Sequence, residues 1–283
     1  MSAPTLSSAA PSLRDFAGKL VLIGAGKMGG AMLQGWLSLG LDPRRIAVLE
    51  PQPSAELSAL AERGLALNPP ADALREVAVA VLAVKPQSAA EAAPRVAAIA
   101  GPGTLIVSIM AGKTLASLEQ MLVPGAPVIR CMPNTPAAIG RGITVGVANA
   151  NVSNDQRLLA HALLAAVGEV AWVDDEGLID AVTAVSGSGP AYVFLLAEAL
   201  ARAGVEAGLP AALAERLARA TVAGAGELLH RSPLPAATLR ENVTSPGGTT
   251  AAALAVLMGE NGLDPLMREA VAAAARRSRE LAG

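Results

Sequence analysis

Near the start of the chain, a glycine-rich turn has the spacing needed to hold a dinucleotide. The apolar segment Lys19–Ile23 precedes it, a helix-length pattern follows it, and the turn consists of Gly24, Ala25, Gly26, Lys27, Met28 and Gly29. The first glycine permits a tight turn, the second lets backbone approach a pyrophosphate, and the third lets a helix pack closely on a strand. The amides at the helix N-terminus favour the phosphates. A nucleoside triphosphate loop does not fit, because Met28 stands where such a loop needs Ser or Thr.

An acidic residue follows at the distance where this kind of site contacts a ribose. Glu50 ends the second apolar segment, 21 residues after Gly29. A carboxylate there can accept from ribose hydroxyls and repels the extra phosphate of NADPH, so it favours NADH. Arg44 and Arg45 precede the same segment and could reach that phosphate from the other side. The cofactor is therefore NADPH or NADH, with Glu50 as the argument for NADH.

Three further segments combine glycine, proline and polar residues at the ends of predicted elements. Val84-Lys85-Pro86-Gln87 follows an apolar run over residues 77–84, at the edge where open α/β sheets bind ligands. Lys85 is either a cofactor contact or a surface lysine. The motif RCMPNTP, residues 130–136, is either a rigid turn or part of a site. Residues 186–190, SGSGP, form a tight entry to a long helix, with Pro190 in its first turn.

The motif Ser245-Pro246-Gly247-Gly248-Thr249-Thr250 is the most informative of the later segments. It opens a predicted helix with two glycines, two hydroxyl groups and free amides, which suits a small carboxylate. A capped helix start is the structural alternative, but two hydroxyls beside two glycines exceed what a cap requires. We interpret this motif as an anion-binding site.

The elements that must position these residues change character along the chain. Continuous aliphatic segments alternate with helical patterns from Lys19 to about Trp172, which predicts a parallel sheet covered on both faces. Beyond it, four helix-length segments dominate, residues 191–207, 210–230, 249–259 and 265–281. We predict an α/β protein with an N-terminal Rossmann-type parallel sheet followed by an all-helical dimerisation domain. The expected divisions are a loose tail over 1–18, a dinucleotide-binding domain over 19–172 and a helical substrate and dimerisation domain over 173–283.

Composition excludes several other classes of function. Hydrophobic residues make up 52% of the 283 residues and the net charge is -2, so neither a disordered chain nor a nucleic-acid binder is expected. Cys131 is the one cysteine and histidines number two, which leaves no material for a zinc site or a disulfide framework. The aliphatic run over 77–84 is shorter than a membrane helix, and the opening residues lack a secretory pattern. We therefore expect a cytoplasmic enzyme with no metal, no nucleic-acid partner and no membrane partner.

The motifs GAGKMGG, AVKPQ, RCMPNTP, SGSGPAY and SPGGTT, in this order, resemble the pyrroline-5-carboxylate reductases. The resemblance runs from about Lys19 to the C-terminus, and the last two motifs together are highly specific. It implies a Rossmann domain, a helical dimerisation domain and a site shared between two subunits. The reaction it implies is hydride transfer from NAD(P)H to the ring C=N bond of 1-pyrroline-5-carboxylate, giving L-proline in the final step of proline biosynthesis.

The resemblance also assigns residues by position. The cofactor would be lined by Gly24, Ala25, Gly26, Lys27, Met28, Gly29, Glu50, Ala83, Val84, Lys85, Pro86, Ile109, Met110, Ala111 and Asn242. The substrate would be held by Glu176, Asn242, Ser245, Gly247, Gly248, Thr249 and Thr250. Among these, the amides of Thr249 and Thr250 would bind the substrate carboxylate. The Thr250 hydroxyl, the one catalytic group, would face the ring nitrogen.

Two positions depart from the family pattern. The family mostly prefers NADPH and often has a hydroxyl or amide residue where Glu50 stands here. Some members place an Asn beside the adenine where this chain has Pro70, and Asn68 is a possible substitute. The chemistry itself makes modest demands, since a protonated imine accepts hydride readily once it is positioned and shielded from water.

Three alternatives compete with this interpretation. A hydroxyacid dehydrogenase needs a lysine in the helical half, and no lysine follows Lys113. Reduction of another cyclic imino acid stays open, because the motifs do not distinguish ring sizes. A non-catalytic dinucleotide sensor is the third, and the intact SPGGTT motif argues against it.

Overall fold

The computed structural model describes residues 11–282, apart from the side chains of Pro86, Ala90 and Ala282. Residues 1–10 of the expected tail lie outside this description. The prediction of a loose tail is corrected for Leu13–Asp15, which form a short 3-10 helix capped by Ser12. Leu13 is 4% exposed and packs in the main core, because it is an apolar residue close to the start of the first strand.

A single eight-stranded sheet organises the described part of the first unit. Its strands are β1 (Lys19–Ile23), β2 (Ile46–Leu49), β3 (Ala66–Leu67), β4 (Val77–Leu82), β5 (Leu105–Ser108), β6 (Val128–Met132), β7 (Gly142–Ala148) and β8 (Gly168–Trp172). Their order is β3-β2-β1-β4-β5-β6-β7-β8. The strands β2 and β3 are added on one side of β1, and the strands from β4 to β8 are then added on its other side. The switch point between β1 and β4 is where such sheets bind ligands.

Continuous aliphatic strands place the sheet between two apolar layers. Leu20 and Leu22 of β1 belong to one core cluster, whereas Val21 and Ile23 belong to the other. All four are at most 3% exposed. Burial on both faces explains why these strands are apolar at every position and not at alternate ones.

The sheet is mostly parallel, and its last two strands, β7 and β8, run opposite to the other six. The reversal occurs at β7, which pairs antiparallel with β6 and parallel with β8. Gly146 in β7 leaves room for the ring of Trp172, whose Cζ3 would lie 2.8 Å from a Cβ added at that glycine. The predicted Rossmann-type parallel sheet is therefore confirmed for β1 to β6, and β7 and β8 extend it in the opposite direction.

Eleven α-helices occur among the described residues. They are α1 (Lys27–Ser38), α2 (Ala55–Glu62), α3 (Ala89–Ile99), α4 (Leu115–Glu119), α5 (Asn154–Ala165), α6 (Ile179–Val182), α7 (Gly189–Glu206), α8 (Ala211–Arg231), α9 (Ala236–Asn242), α10 (Thr249–Leu257) and α11 (Leu263–Ala282). The four helices predicted for the second half correspond to α7, α8, α10 and α11. A π-helical turn, Thr183–Gly187, directly precedes α7.

Two compact units divide the chain after Gly187. The second unit is Ser188–Ala275, and the first unit takes up the chain again from Arg276. The division falls later than the predicted boundary at residue 172, because the segment in between packs in the first unit. Ile179 is 1% exposed beside Val145 and Val147. Ser278, at the end of α11, donates a hydrogen bond to Asp180 at 2.6 Å.

The second unit leaves large apolar side chains in solvent. Helices α7 and α8 pack closely, and a Cβ added at Gly204 would lie 3.2 Å from the Ala214 Cβ. In contrast, Phe194 is 64% exposed and Leu196 53% exposed. By length and composition, the helical stretch Glu176–Glu206 is apolar enough to span a membrane. The same apolar surface suits a helix that is covered by another protein chain.

Candidate dinucleotide and substrate sites

A cleft opens at the switch point of the sheet, where the glycine-rich turn leaves β1. The Gly24 amide donates to the Leu49 carbonyl at 2.9 Å, and the Ala83 amide donates to the Ile23 carbonyl at 2.8 Å. Gly24 has a φ of 91°, and a Cβ there would lie 2.8 Å from the Ala83 carbonyl oxygen. Only glycine fits at this position, where the carboxyl ends of β1, β2 and β4 lie close together.

The other two glycines of the fingerprint have different neighbours. A Cβ added at Gly29 would lie 2.2 Å from the Gly24 carbonyl oxygen, so this glycine lets α1 pack against the turn. A Cβ added at Gly26 would meet no described atom within 4 Å. It would instead project into open space above the N-terminus of α1. The turn thus keeps a backbone surface accessible, which is what a dinucleotide pyrophosphate requires.

The Glu50 carboxylate lies against this turn and is held by two backbone amides. The Ala25 amide donates to Oε2 at 2.8 Å, and the Gln52 amide donates to Oε1 at 3.1 Å. Glu50 is half-buried. The acid predicted to contact a ribose therefore stands at the end of β2 with a fixed orientation.

Asn68 fixes the backbone of the same residue. Its Oδ1 accepts from the Glu50 amide at 2.9 Å, and its Nδ2 donates to the Glu50 carbonyl at 2.8 Å. Asn68 has a φ of 47°, a left-handed conformation that Asn tolerates better than most residues. Asn68 is a candidate adenine contact by its position in the sequence, but both ends of its side-chain amide bind the Glu50 backbone.

Two adjoining cavities extend from this position. One, of about 630 Å³, is bordered by the turn, Glu50, Ala83, Val84 and Lys85. The other, of about 380 Å³, reaches Asn68 and Pro70, and Arg95 borders both. A larger groove of about 780 Å³ follows the side of α1 and also touches Gly26 and Lys27. The two adjoining cavities fit the cofactor better, because they lie at the carboxyl ends of β1, β2 and β4.

The remaining cofactor residues predicted in this unit differ in how far their side chains are exposed. Lys85 is exposed on the rim of the cleft, and Pro86 begins a short 3-10 helix, its side chain being outside the described residues. Ile109 and Ala111 lie in the loop after β5 and are partly or fully accessible. Met110 is only 3% exposed and packs in the core. Its side chain is thus directed into the core and away from the cleft.

Glu176, predicted near the substrate, is half-buried and forms an ion pair with a buried arginine. Its Oε1 accepts from Arg130 Nη1 at 2.6 Å and from the Leu115 amide at 2.8 Å. Arg130 is 5% exposed. This arrangement ties β6, the start of α4 and the segment after β8 to one carboxylate. The pairing of Arg130 with Glu176 was not predicted from the sequence, in which the two residues are 46 positions apart.

The RCMPNTP and SGSGP motifs meet through one side chain. Asn134 accepts from the Ile143 amide at 2.9 Å and donates to the Ser186 hydroxyl at 3.3 Å. These bonds use the Asn134 amide to hold the loop after β6 and the π-helical turn together. For Asn134 the contacts favour the structural interpretation of the motif.

In the second unit, the SPGGTT motif forms the tight turn that starts α10. The Gly248 amide donates to the Ser245 carbonyl at 3.0 Å, and Gly247 has a φ of 69°. Gly248 is the N-cap residue and has no side chain to bond the first amides of the helix. Ser245 and Thr249 are exposed, Thr250 is half-buried, and Asn242 ends the preceding helix α9. The turn therefore brings hydroxyls and backbone amides of this motif together at one helix N-terminus.

The fold and the cleft define a Rossmann-type nicotinamide-dependent oxidoreductase. Family models agree on both parts of the chain. Residues 19–112 match "NADP oxidoreductase coenzyme F420-dependent", and residues 176–281 match "Pyrroline-5-carboxylate reductase dimerisation".

Whole-chain comparisons give the particular family. A pyrroline-5-carboxylate reductase of Pseudomonas aeruginosa is 42% identical over 93% of this chain and 97% of its own length. That of Synechocystis is 48% identical over 72% of this chain and 74% of its own length. The solved structure of the Coxiella burnetii reductase has a TM-score of 0.87 at 36% identity and covers 95% of this chain and 100% of its own. That of Plasmodium falciparum, solved with NADP bound, has a TM-score of 0.79 at 29% identity, covering 94% and 99%. The chain belongs to the pyrroline-5-carboxylate reductase family.

Proposed function

We propose that this protein reduces 1-pyrroline-5-carboxylate to L-proline with NADPH or NADH, in the final step of proline biosynthesis. The observation that carries the proposal is the 42% identity to a pyrroline-5-carboxylate reductase over nearly the whole of both chains. The cleft at the glycine-rich turn supports it independently, since its backbone is open at Gly26 and closed at Gly24 and Gly29. When bound, the nicotinamide supplies a hydride to the ring carbon of the C=N bond.

The substrate carboxylate would be held by the SPGGTT turn. The Thr249 and Thr250 amides at the start of α10, together with the Ser245 hydroxyl, offer donors to an anion, and the helix dipole favours negative charge there. The Thr250 hydroxyl would hydrogen-bond the ring nitrogen and orient it. Asn242 and Glu176 complete the proposed set of substrate residues.

The chemistry needs no strong acid from the protein. A cyclic imine that arrives protonated accepts hydride at carbon, and its nitrogen then becomes the neutral secondary amine, which takes a further proton from water. The protein contributes positioning and exclusion of water. This requirement agrees with the residues of the SPGGTT turn, where hydroxyls and amides stand in place of histidine, cysteine or lysine.

The same proposal includes a homodimer in the cytoplasm. The dimerisation match over 176–281 coincides with the region that leaves Phe194 and Leu196 exposed. A second copy covering this face would account for the apolar stretch Glu176–Glu206 without a membrane.

A direct assay that measures both the cofactor and the product tests the reaction. Purified protein is mixed with 1-pyrroline-5-carboxylate and either NADH or NADPH, and nicotinamide absorbance and proline are followed together. We expect oxidation of the cofactor with an equal amount of proline formed. Cofactor binding without turnover would reject this substrate. In that case, six-membered cyclic imino acids and the isomer with C=N beside the carboxylate would be tried, and failure of all of them would leave a dinucleotide sensor.

A further inference from the structure

We infer that this reductase selects NADH over NADPH, and that Glu50, held in place by Asn68, is the residue responsible. The inference rests on the dinucleotide binding proposed above and specifies which dinucleotide is preferred. Two observations support it. Hydrogen bonds fix both the carboxylate and the backbone of Glu50. Arg44 and Arg45, which could have bound the 2′-phosphate of NADPH, bind other groups of the protein.

The Glu50 carboxylate lies at the strand end where an adenosine ribose is expected. Glu50 directly follows β2 and borders the larger of the two adjoining cavities at the switch point. In dinucleotide-binding sheets the adenosine ribose lies at this strand end. The 2′-phosphate of NADPH would bring about two negative charges next to an existing one, whereas NADH brings a neutral hydroxyl.

Two hydrogen bonds fix the orientation of the Glu50 carboxylate. Its two oxygens accept from different amides, Ala25 at 2.8 Å and Gln52 at 3.1 Å. A rotation that moved the charge away from a phosphate would break both hydrogen bonds. An ionised carboxylate has about four acceptor positions, so two are left for ribose hydroxyls.

The two arginines that precede β2 bind groups other than a cofactor phosphate. Arg44 donates to both oxygens of Asp42, the closest contact being 2.8 Å, and this lowers the pKa of the Asp42 carboxyl and raises that of Arg44. Arg45 donates to the Ala17 carbonyl. Both arginines that the sequence offered as phosphate ligands therefore have other partners. Lys85 and Arg95 also border the cleft, together with the acidic Glu91.

Asn68 acts through Glu50 and is a positioning residue. It bonds both the amide and the carbonyl of Glu50, at 2.9 and 2.8 Å. These bonds set the direction in which the Glu50 side chain leaves the backbone. Loss of the Asn68 amide would let the carboxylate move, so the discrimination between the two cofactors would weaken.

Binding measurements test the inference without turnover. The dissociation constants of NADH and NADPH are measured by nicotinamide fluorescence, and those of adenosine 5′-monophosphate and adenosine 2′,5′-bisphosphate by calorimetry. We expect wild type to bind NADH at least about tenfold more tightly than NADPH. The preference should shrink at high salt, because screening weakens the repulsion. Failure of both cofactors to bind would reject the proposed function, whereas equal binding of both would reject only the inference.

Variants identify the responsible residue. In Glu50→Gln the charge is lost and the size kept, so the preference should fall about tenfold or more, mainly through tighter NADPH binding. Glu62→Gln, on the exposed end of α2, removes the same charge outside the cleft and should leave the ratio unchanged. A wild-type preference for NADPH that disappears in Arg95→Gln would overturn the inference in favour of Arg95 as a phosphate ligand.

Asn68→Gly separates positioning from a purely structural role. Glycine keeps the left-handed backbone at residue 68 and removes both hydrogen bonds to Glu50. We expect the ratio of the two dissociation constants to fall by a factor of about three or more, toward that of Glu50→Gln. A lower Tm with an unchanged ratio would show that Asn68 is structural only and would remove it from the inference.

Discussion

The two units of the molecule bury their apolar residues to different extents. In the first unit, Leu20 and Leu22 of β1 are 0% exposed, and apolar clusters cover both faces of the sheet. In the second unit, Phe194 and Leu196 of α7 are more than half exposed. The first unit thus has a complete core within one chain. The second has helices whose apolar side chains need another surface, in agreement with its match to a dimerisation family.

This difference predicts that functions separate between the units. Cofactor binding should depend on the turn in the first unit, whereas assembly and turnover should depend on the helices of the second. A variant in the second unit should therefore change assembly or turnover and leave cofactor binding unchanged. A variant of the glycine-rich turn should change cofactor binding or the stability of the first unit.

The largest effect is expected from Phe194→Asp. A carboxylate in an apolar interface between copies would be buried without a partner, which costs several kcal/mol. We expect a monomer by light scattering and at least about a hundredfold loss of turnover, with NADH affinity retained. Glu198→Gln, four residues further along the same helix, should leave the dimer intact. A dimeric Phe194→Asp protein would show that this face is not the interface.

Thr250→Ala should give the next largest effect. Loss of the hydroxyl that hydrogen-bonds the ring nitrogen is expected to lower kcat by about 10²-fold. Cofactor affinity should stay unchanged, because the glycine-rich turn lies in the first unit. Thr250→Ser keeps the hydroxyl and should recover most of the activity. Full activity of the alanine variant would remove the role assigned to Thr250.

Two glycine variants test the first unit itself. Gly29→Ala places a Cβ 2.2 Å from the Gly24 carbonyl oxygen, so we expect a loss of about 2 kcal/mol of unfolding free energy, partly offset by better helix propensity. Gly26→Ala adds a Cβ with no described atom within 4 Å, and its Tm should stay near wild type. Its cofactor affinity should nevertheless fall about tenfold, because the methyl group faces the pyrophosphate path.

A loss of stability in Gly26→Ala, or a loss of cofactor affinity without a loss of stability in Gly29→Ala, would contradict this interpretation. A stable Gly29→Ala protein with normal cofactor affinity would mean that α1 can move away from the turn. Thermal unfolding and NADH fluorescence titration distinguish these outcomes.

A smaller effect is expected on the pH dependence of stability. Burial lowers the pKa of His161 from 6.5, and Trp172 Nε1 donates to its Nδ1 at 3.3 Å, which requires the neutral ring. Arg157 lies over the Trp172 ring at 4.7 Å. Since the unfolded chain binds a proton more readily, the contribution of His161 is present above about pH 6.5 and is lost as the pH falls below that value.

His161→Gln should therefore flatten the decline of Tm between pH 7 and pH 5. Thermal unfolding in a series of buffers measures it for both proteins. An unchanged slope in the variant would show that other groups cause the decline.

The sequence was sufficient for those features that depend on strand ends. The fingerprint and Glu50 are far apart in the chain, yet they meet because parallel strands bring their carboxyl ends to one edge of the sheet. The helices α7, α8, α10 and α11 were also predicted, since each lies in a helix-length segment rich in Ala and Leu.

Features that depend on register or on distant pairs were not predicted. Asn68 reaches Glu50 only because β3, two residues long, pairs with β2. Arg130 and Glu176 are 46 residues apart, and no local pattern joins them. The burial of the Met110 side chain was also not predicted, because it depends on contacts with residues distant in sequence.

The hydrogen bonds that hold Glu50 have a consequence for how easily the cofactor could change during evolution. Both donors, at Ala25 and Gln52, are backbone amides, so they persist whatever residue stands at position 50. A small neutral residue there would free two N–H groups at the place where a 2′-phosphate would lie. One substitution would then remove a repulsive charge and supply two donors together. The mutational distance between an NADH enzyme and an NADPH enzyme is therefore short in this scaffold.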